Sequence, residues 1–260
     1  MDIITLIGLV LAFIGVFVGM VLKGVHPSAL LNYAAILIII VGTAGAVCIA
    51  TPMNKIKNLG KLFGIIFKDK KFMTSKEIIE EMVQYAEIAR REGLLALEKL
   101  TNDIKDPFFK RGITMINDGV SSDFIEEALT QDIFAMEERH AANAQIFVQA
   151  GTYAPTLGVL GAVIGLIAAL SNINDVEALG HAISAAFIAT LFGIFTGYVL
   201  WHPFANKLRQ KSRAEAETKY LIIKGIITMQ HGENPRMLRE MLLSYLSVTE
   251  RQKIGGGREK

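Results

Sequence analysis

Polar side chains and a proline lie inside two long apolar segments in the second half of the chain. They are Thr152, Pro155 and Thr156 in the first segment, and Thr190 and Thr196 in the second. A threonine oxygen can ligate a passing cation, and a proline inside a helix leaves the carbonyl four residues earlier without its N–H donor. Both features also have structural interpretations, because a threonine can bond its own helix and a proline can simply kink it.

Small residues recur every four positions in the same two segments. They are Ala154, Gly158 and Ala162, flanked by Gly161 and Gly165, in the first segment, and Ala185, Ala189, Gly193 and Gly197 in the second. Residues four apart share one face of a helix, and small residues on such a face let backbones approach closely in lipid. The faces serve either to pack two helices of this chain or to admit a helix of a partner.

The apolar segments contain no side chain that could carry a proton. Asp, Glu, Lys and Arg are absent from residues 3–22, 24–54, 140–174 and 178–206. An ionisable residue at membrane depth ordinarily marks an ion pathway. If this chain moves ions, a partner must therefore supply the carboxylate.

The elements that position these residues are four predicted transmembrane helices. Each uncharged segment can hold the roughly 20 apolar residues that cross a bilayer, and we place the spans at residues 3–22, 31–51, 147–170 and 178–201. No alternation typical of strands is present. The predicted fold is all-α: a polytopic membrane protein with four transmembrane helices and a helical cytoplasmic domain.

Basic residues predict the orientation of the spans. Of the 27 Lys and Arg, 14 lie in residues 52–146 and 12 in residues 203–260. Because Lys and Arg near span ends remain on the cytoplasmic side, both large segments and both termini are predicted to be cytoplasmic. The predicted parts are therefore transmembrane helices 1 and 2 (1–51), a cytoplasmic helical domain (52–146), transmembrane helices 3 and 4 (147–202), and cytoplasmic C-terminal helices with a flexible tail (203–260).

Helical periodicity continues through the charged segments. Helices are predicted from Ser75 to about Arg90, over 108–117, and over 124–138 with continuation into the third span. Further helices are predicted over 205–230 and 235–245, and the glycines at 255–257 suggest a flexible tail. A tight turn is predicted at 23–28 and a short acidic loop at 171–177.

Composition and motifs exclude several classes of protein. One Cys rules out a disulfide framework, and a net charge of +2 argues against nucleic-acid binding. No metal-ligand spacing, phosphate loop or nucleophile motif is present. The chain is therefore not expected to be an enzyme or to hold a cofactor.

Four segments together resemble the MotA/PomA family of flagellar motor stator proteins, which is distantly related to ExbB/TolQ. They are ARREGLLALE (89–98), APTLGVLGAVIGL (154–166), ATLFG (189–193) and HPFANKL (202–208). The resemblance covers essentially residues 1–250. It implies a ring of five subunits in the bacterial inner membrane around two copies of MotB, whose membrane Asp carries the ion. It also implies that the cytoplasmic domain turns the rotor protein FliG.

The resemblance assigns roles to particular residues. Arg90 and Glu98 are expected to face the rotor, Pro155 and Pro203 to couple ion flow to conformational change, and Thr190 to face the channel. Gly158, Gly161, Ala189 and Gly193 are expected to pack against the partner. Sodium-driven relatives have a Thr where this chain has Ala162. Because sodium needs oxygen ligands in place of water, its absence predicts that the transported ion is the proton.

Two other classes of function compete with this interpretation. An ExbB/TolQ-type energiser has three spans, which the predicted N-terminal hairpin of residues 3–22 and 31–51 disfavours. A self-sufficient channel or transporter is disfavoured by the absence of intramembrane charge and by the large helical cytoplasmic segment. Co-purification of a single-span partner with a membrane Asp would distinguish them.

Overall fold

The computed structural model describes residues 2–25, 30, 32–68, 73–101, 103–171 and 175–255, and regular structure in these ranges is helical throughout. The α-helices are α1 (Ile3–Leu22), α2 (Tyr33–Ala50), α3 (Met53–Ile56), α4 (Leu59–Phe67), α5 (Ser75–Glu92), α6 (Pro107–Asn117), α7 (Ser122–Leu170), α8 (Val176–Phe195), α9 (His202–Gln230), α10 (Pro235–Ser244) and α11 (Val248–Gly255). A 3-10 helix covers Leu94–Leu100 and a π-helical turn covers Thr196–Trp201. Residues 26–28 of the predicted turn, residues 172–174 of the predicted acidic loop and the tail from residue 256 lie outside the described residues.

The prediction of an all-α membrane protein is confirmed. Four helices are long and apolar enough to cross a membrane: α1, α2, the apolar part of α7, and the stretch that begins at Val176. The third predicted span is the C-terminal part of α7, which begins at Ser122 and continues without a break, as periodicity predicted.

Polar caps explain where three of these helices begin. Asp2, Asn32 and Asp175 each accept a hydrogen bond from the backbone N–H three residues later, at 3.2, 3.1 and 3.0 Å. Such side chains satisfy donors that a helix leaves open at its first turn. The polar residue before each apolar run therefore fixes where its helix begins, since the apolar residues themselves do not mark a first turn.

The chain forms two compact units that divide it differently from the predicted domains. Met1–Lys70 with His140–Gln210 form the first, which we call the membrane unit. Lys71–Arg139 with Lys211–Lys260 form the second, which we call the cytoplasmic unit after the location that the basic residues predict for it. The segment after Pro52 was predicted to belong to the cytoplasmic domain. Its first two helices, α3 and α4, instead belong to the membrane unit, and the two charged segments form one unit rather than two.

An aromatic cluster explains why α4 belongs to the membrane unit. Leu62 and Ile66 of α4 are buried, and the Phe63 ring lies 5.3 Å from the Phe147 ring of α7 and 6.4 Å from the Trp201 ring. Aromatic pairs at these separations prefer edge-to-face geometry, which they show here. The amphipathic α4 thus packs its apolar face against Phe147 and Trp201, which lie at the ends of the third and fourth predicted spans.

The cytoplasmic unit is built on a helical core of its own. Its buried residues come from α5, α6, the start of α7, the end of α9 and α10. On α5 they recur at three and four positions: Ile78, Ile79, Met82, Tyr85, Ala86 and Ala89. Thr74 and Glu77 form a reciprocal capping box at the start of α5. The periodicity seen in the sequence is therefore the buried face of α5.

Candidate functional site

Helices α7 and α8 of the membrane unit approach each other closely at two glycines. A Cβ added to Gly193 would lie 2.7 Å from the Ala154 carbonyl oxygen and 2.9 Å from the Gly158 Cα. A Cβ added to Gly158 would lie 2.8 Å from the Ala189 carbonyl oxygen. These neighbours are backbone atoms, so only glycine fits on either side. We call this contact the glycine seam.

The small-residue faces were expected either to pack two helices of this chain or to admit a partner helix, and the glycine seam shows the first for several of these residues. Gly158, Ala189 and Gly193 meet one another within the chain, and a Cβ added to Gly161 would lie 3.6 Å from Ile38 of α2 and 3.7 Å from the Ala189 Cβ. These contacts occupy the faces that were expected to pack against a partner. By contrast, an alanine methyl at Gly165 or Gly180 would meet no heavy atom within 4 Å.

Pro155 continues the glycine seam toward the end of α8. Because Pro155 has no N–H, the carbonyl of Gly151 loses its helical donor. That oxygen lies against Gly197, where an added Cβ would be 2.7 Å from it and 2.7 Å from Pro155 Cγ. The freed carbonyl thus faces a glycine Cα of the neighbouring element, which is the geometry of a weak Cα–H···O contact. A glycine of the same chain therefore lies against this carbonyl.

The backbone opposite Pro155 is itself irregular. Gly197 lies in the π-helical turn Thr196–Trp201, in which the N–H of His202 bonds the Gly197 carbonyl five residues earlier. Pro203, the second residue of α9, follows at once. A π-helical turn is wider than an α-turn, and such turns mark places where an insertion or a missing donor disturbs the ladder. Helix α9 begins at His202 and continues to Gln230, so Pro203 does not end the helix.

All four threonines donate a hydrogen bond to a carbonyl of their own helix. The acceptors are Val148 for Thr152 (3.0 Å), Thr152 for Thr156 (3.3 Å), Ala186 for Thr190 (3.2 Å) and Phe192 for Thr196 (2.8 Å). Thr152 and Thr156 are exposed, whereas Thr190, Thr196 and Ala162 are half-buried. The hydroxyl protons are thus held inside the helices, and the oxygens keep free lone pairs.

A buried ion pair joins the ends of two elements far apart in sequence, and sequence reasoning missed it. Lys207 Nζ lies 2.5 Å from Asp2 Oδ2, and Asp2 is only 5% exposed. The hydrogen bond from Lys207 holds the pKa of Asp2 well below its usual range, at about 2, although burial alone would raise it. The Asp2 backbone N–H also donates to the Phe67 carbonyl at 3.0 Å. Lys207 lies within the HPFANKL segment, and this segment was the only feature of the sequence that drew attention to Lys207.

Arg90 and Glu98 lie on either side of a sharp turn in the cytoplasmic unit. Gly93 ends α5 with φ 87° and ψ 162°, a conformation that is essentially restricted to glycine. Arg90 near the end of α5 and Glu98 on the 3-10 helix are both exposed. Neither side chain forms an ion pair within the described ranges. Both charges are therefore available to another protein.

Comparison with known proteins covers almost the whole chain. Residues 6–93 match the model of the motility protein A N-terminal family, and residues 100–220 match that of the MotA/TolQ/ExbB proton channel family. The Motility protein A of Bacillus subtilis is 55% identical over 98% of this chain and 94% of its own length. The chain belongs to the MotA/TolQ/ExbB proton channel family. Within it, the Chemotaxis protein PomA of Vibrio alginolyticus is 33% identical over 96% of this chain and 98% of its own length.

Solved structures of the MotA/TolQ/ExbB family share this fold. A chain of the flagellar MotAB stator complex from Bacillus subtilis matches with a TM-score of 0.91 and 56% identity, covering 95% of this chain and 97% of that one. A chain of C. jejuni MotAB matches with a TM-score of 0.90 and 34% identity over the same shares. The similarity spans both units, including the N-terminal helices. It supports a flagellar stator subunit rather than an ExbB-type energiser.

Proposed function

We propose that this chain is the stator subunit that, with MotB, conducts protons across the bacterial inner membrane and converts the ion-motive force into torque on FliG. The observation that carries the proposal is 55% identity to a motility protein A over 98% of the chain. The geometry of the membrane unit supports it, because the proline-containing helix α7 packs closely against α8 at the glycine seam and against the π-helical turn at Gly197.

The need for MotB follows from what the spans lack. No Asp or Glu occurs in residues 3–22, 24–54, 140–174 or 178–206, so a partner must bring the group that takes up and releases the ion. Two similar solved chains come from MotAB complexes. We propose a ring of five copies around two MotB helices, with both termini cytoplasmic, as the distribution of basic residues favours.

The proton is the proposed ion because position 162 offers no oxygen ligand. Ala162 provides only a methyl group where the sodium-driven relatives are expected to have a threonine hydroxyl. Sodium is a hard cation that needs several oxygen ligands to replace its water. A proton can instead move from water to a carboxylate of the partner.

Swimming driven by this stator is expected to continue in sodium-free medium and to stop when a protonophore is added. Swimming speed would be measured in a strain whose only stator contains this chain with its MotB. A sodium-driven stator in the same strain is the control and should stop when sodium is removed. Loss of torque on sodium removal in the test strain would contradict proton transport while leaving the stator assignment intact.

Reversal of either rotor-facing charge is expected to lower torque strongly without affecting assembly. Arg90→Glu or Glu98→Lys inverts an exposed charge, and like charges placed opposite each other across an interface cost several kcal/mol. Torque would be measured on tethered cells, with the membrane content of the protein as the assembly readout. Lys105→Glu is the matched control, since Lys105 is an exposed cation outside the segment. Normal torque in the Arg90→Ala/Glu98→Ala double variant would show that these charges do not engage the rotor.

A further inference from the structure

A large apolar cavity lies within the membrane unit. Its volume is about 420 Å³, within the range of small-molecule sites. Residues of α2, α4, α7 and the π-helical turn line it, among them Val47, Phe63, Phe147, Leu200 and Trp201. The cavity also contacts Thr43, whose hydroxyl is buried and has no hydrogen-bond partner among the described residues.

The cavity reaches the apolar surface of α2. Ile40, which lines it, is 57% exposed, and the neighbouring lining residue Ala44 is also exposed. Both belong to a helix long and apolar enough to cross a membrane. The mouth of the cavity therefore faces the hydrocarbon of the bilayer, where the available molecules are lipid chains.

Basic residues lie next to the cavity along the chain. Residues 52–68 include Lys55, Lys57, Lys61 and Lys68 and no Asp or Glu. In the part of the chain that the structure describes, Lys55, Lys57 and Lys61 form no ion pair. Clusters of basic residues directly after a transmembrane helix attract anionic lipid headgroups.

Helix α4 connects the lysines to the cavity. Leu59 and Phe63 of α4 line the cavity, while Lys61, between them in sequence, is exposed. A helix with one apolar and one cationic face lies in the membrane interface, with the apolar face toward the acyl chains and the cations at the level of the phosphates. The same short helix therefore offers both surfaces that a phospholipid needs.

We propose that each subunit binds one anionic phospholipid at this site, with an acyl chain in the cavity and the phosphate beside Lys55, Lys57 and Lys61. The charge pattern favours a lipid over a second protein, because a helix from another subunit would fill the apolar cavity without using the lysines. A topology signal alone would explain the lysines but not the cavity. The proposal rests on the membrane unit and does not require the proposed transport or torque.

Trp201 provides a direct probe, since it lines the cavity and is the only Trp of the chain. The full-length chain, assembled with its partner subunits, would be reconstituted into phosphatidylcholine vesicles that contain a small, equal fraction of either dibrominated phosphatidylglycerol or dibrominated phosphatidylcholine. Bromine on an acyl chain quenches a tryptophan that it contacts. The Trp201→Phe complex gives the background from any partner tryptophan.

We expect brominated phosphatidylglycerol to quench Trp201 at markedly lower fractions than brominated phosphatidylcholine. Lys57→Gln/Lys61→Gln should reduce this preference by about 25-fold, because each lysine near an anionic headgroup contributes roughly fivefold. Lys99→Gln/Lys105→Gln, which removes two exposed lysines of the cytoplasmic unit, should leave it unchanged.

A variant that blocks the mouth tests the acyl-chain part of the proposal. Ala44→Phe should lower quenching by both lipids, whereas Ala34→Phe, at an exposed position of α2 that does not line the cavity, should not. Equal quenching by the two brominated lipids in the unmodified chain would overturn the proposal. Absence of quenching, which would mean that another subunit covers the cavity, would overturn it as well.

Discussion

Replacement of Gly193 by alanine is expected to abolish swimming and to lower the thermal stability of the assembled protein. The new methyl group would lie 2.7 Å from the Ala154 carbonyl oxygen and 2.9 Å from the Gly158 Cα. Both are backbone atoms, so α7 and α8 must separate. Overpacking costs about 1–3 kcal/mol even when side chains can adjust, which exceeds the gain of up to ~1 kcal/mol from replacing glycine in a helix.

Gly180→Ala is the matched control for this prediction. Gly180 lies on the same helix, but an added Cβ there meets nothing within 4 Å, so only the helix-propensity gain applies. Swimming speed and the melting temperature of the purified complex should therefore be unchanged or slightly raised. Wild-type swimming in Gly193→Ala would show that the helices separate without consequence and that the close approach is not required.

Replacement of Pro155 by alanine is expected to abolish torque while the protein still reaches the membrane in normal amounts. Alanine restores the N–H that can bond the Gly151 carbonyl, and removal of a proline from a helix interior stabilises the helix locally by about 3 kcal/mol. The ring atoms that pack against Gly197 are lost at the same time. The Gly151 carbonyl would then bond within α7, and the contact between Pro155 and the π-helical turn would be lost.

Pro107→Ala is the control for the loss of a proline as such. Pro107 lies at the start of α6, where its missing N–H would be unpaired in any case. Its replacement should leave torque unchanged. If Pro155→Ala cells swim normally, the irregular backbone around Gly151 and Gly197 has no part in coupling, and Pro155 would be a simple kink.

Much of the fold could be predicted because its signals are local. Residues 3–22 were predicted as a span, and α1 is Ile3–Leu22, since length and apolar composition suffice in a membrane. The continuation of a cytoplasmic helix into the third span was also predicted, and α7 runs from Ser122 to Leu170. In both cases the periodicity or composition of one segment carries the information.

The features that sequence reasoning missed depend on residues far apart in the chain. The partner of Asp2 is Lys207, 205 positions away, and no single-segment pattern joins them. Helix α4 was predicted as part of the charged cytoplasmic segment 52–146, since Lys61 lies within it and Lys68 directly follows it. Its place in the membrane unit comes from aromatic contacts with Phe147 and Trp201. Small-residue spacing likewise predicted a close helix contact but could not say which helix would make it.

The hydrogen bonds of the four threonines limit what these side chains can do for a moving proton. Relay by a hydroxyl requires it to accept one proton and release another, but each of these O–H groups donates to a carbonyl of its own helix. Each oxygen can still accept from water and so fix the direction in which a neighbouring molecule points. In the proposed proton transport, these hydroxyls would orient water rather than pass the proton themselves, so conduction past them would depend on how well the gap beside them is hydrated.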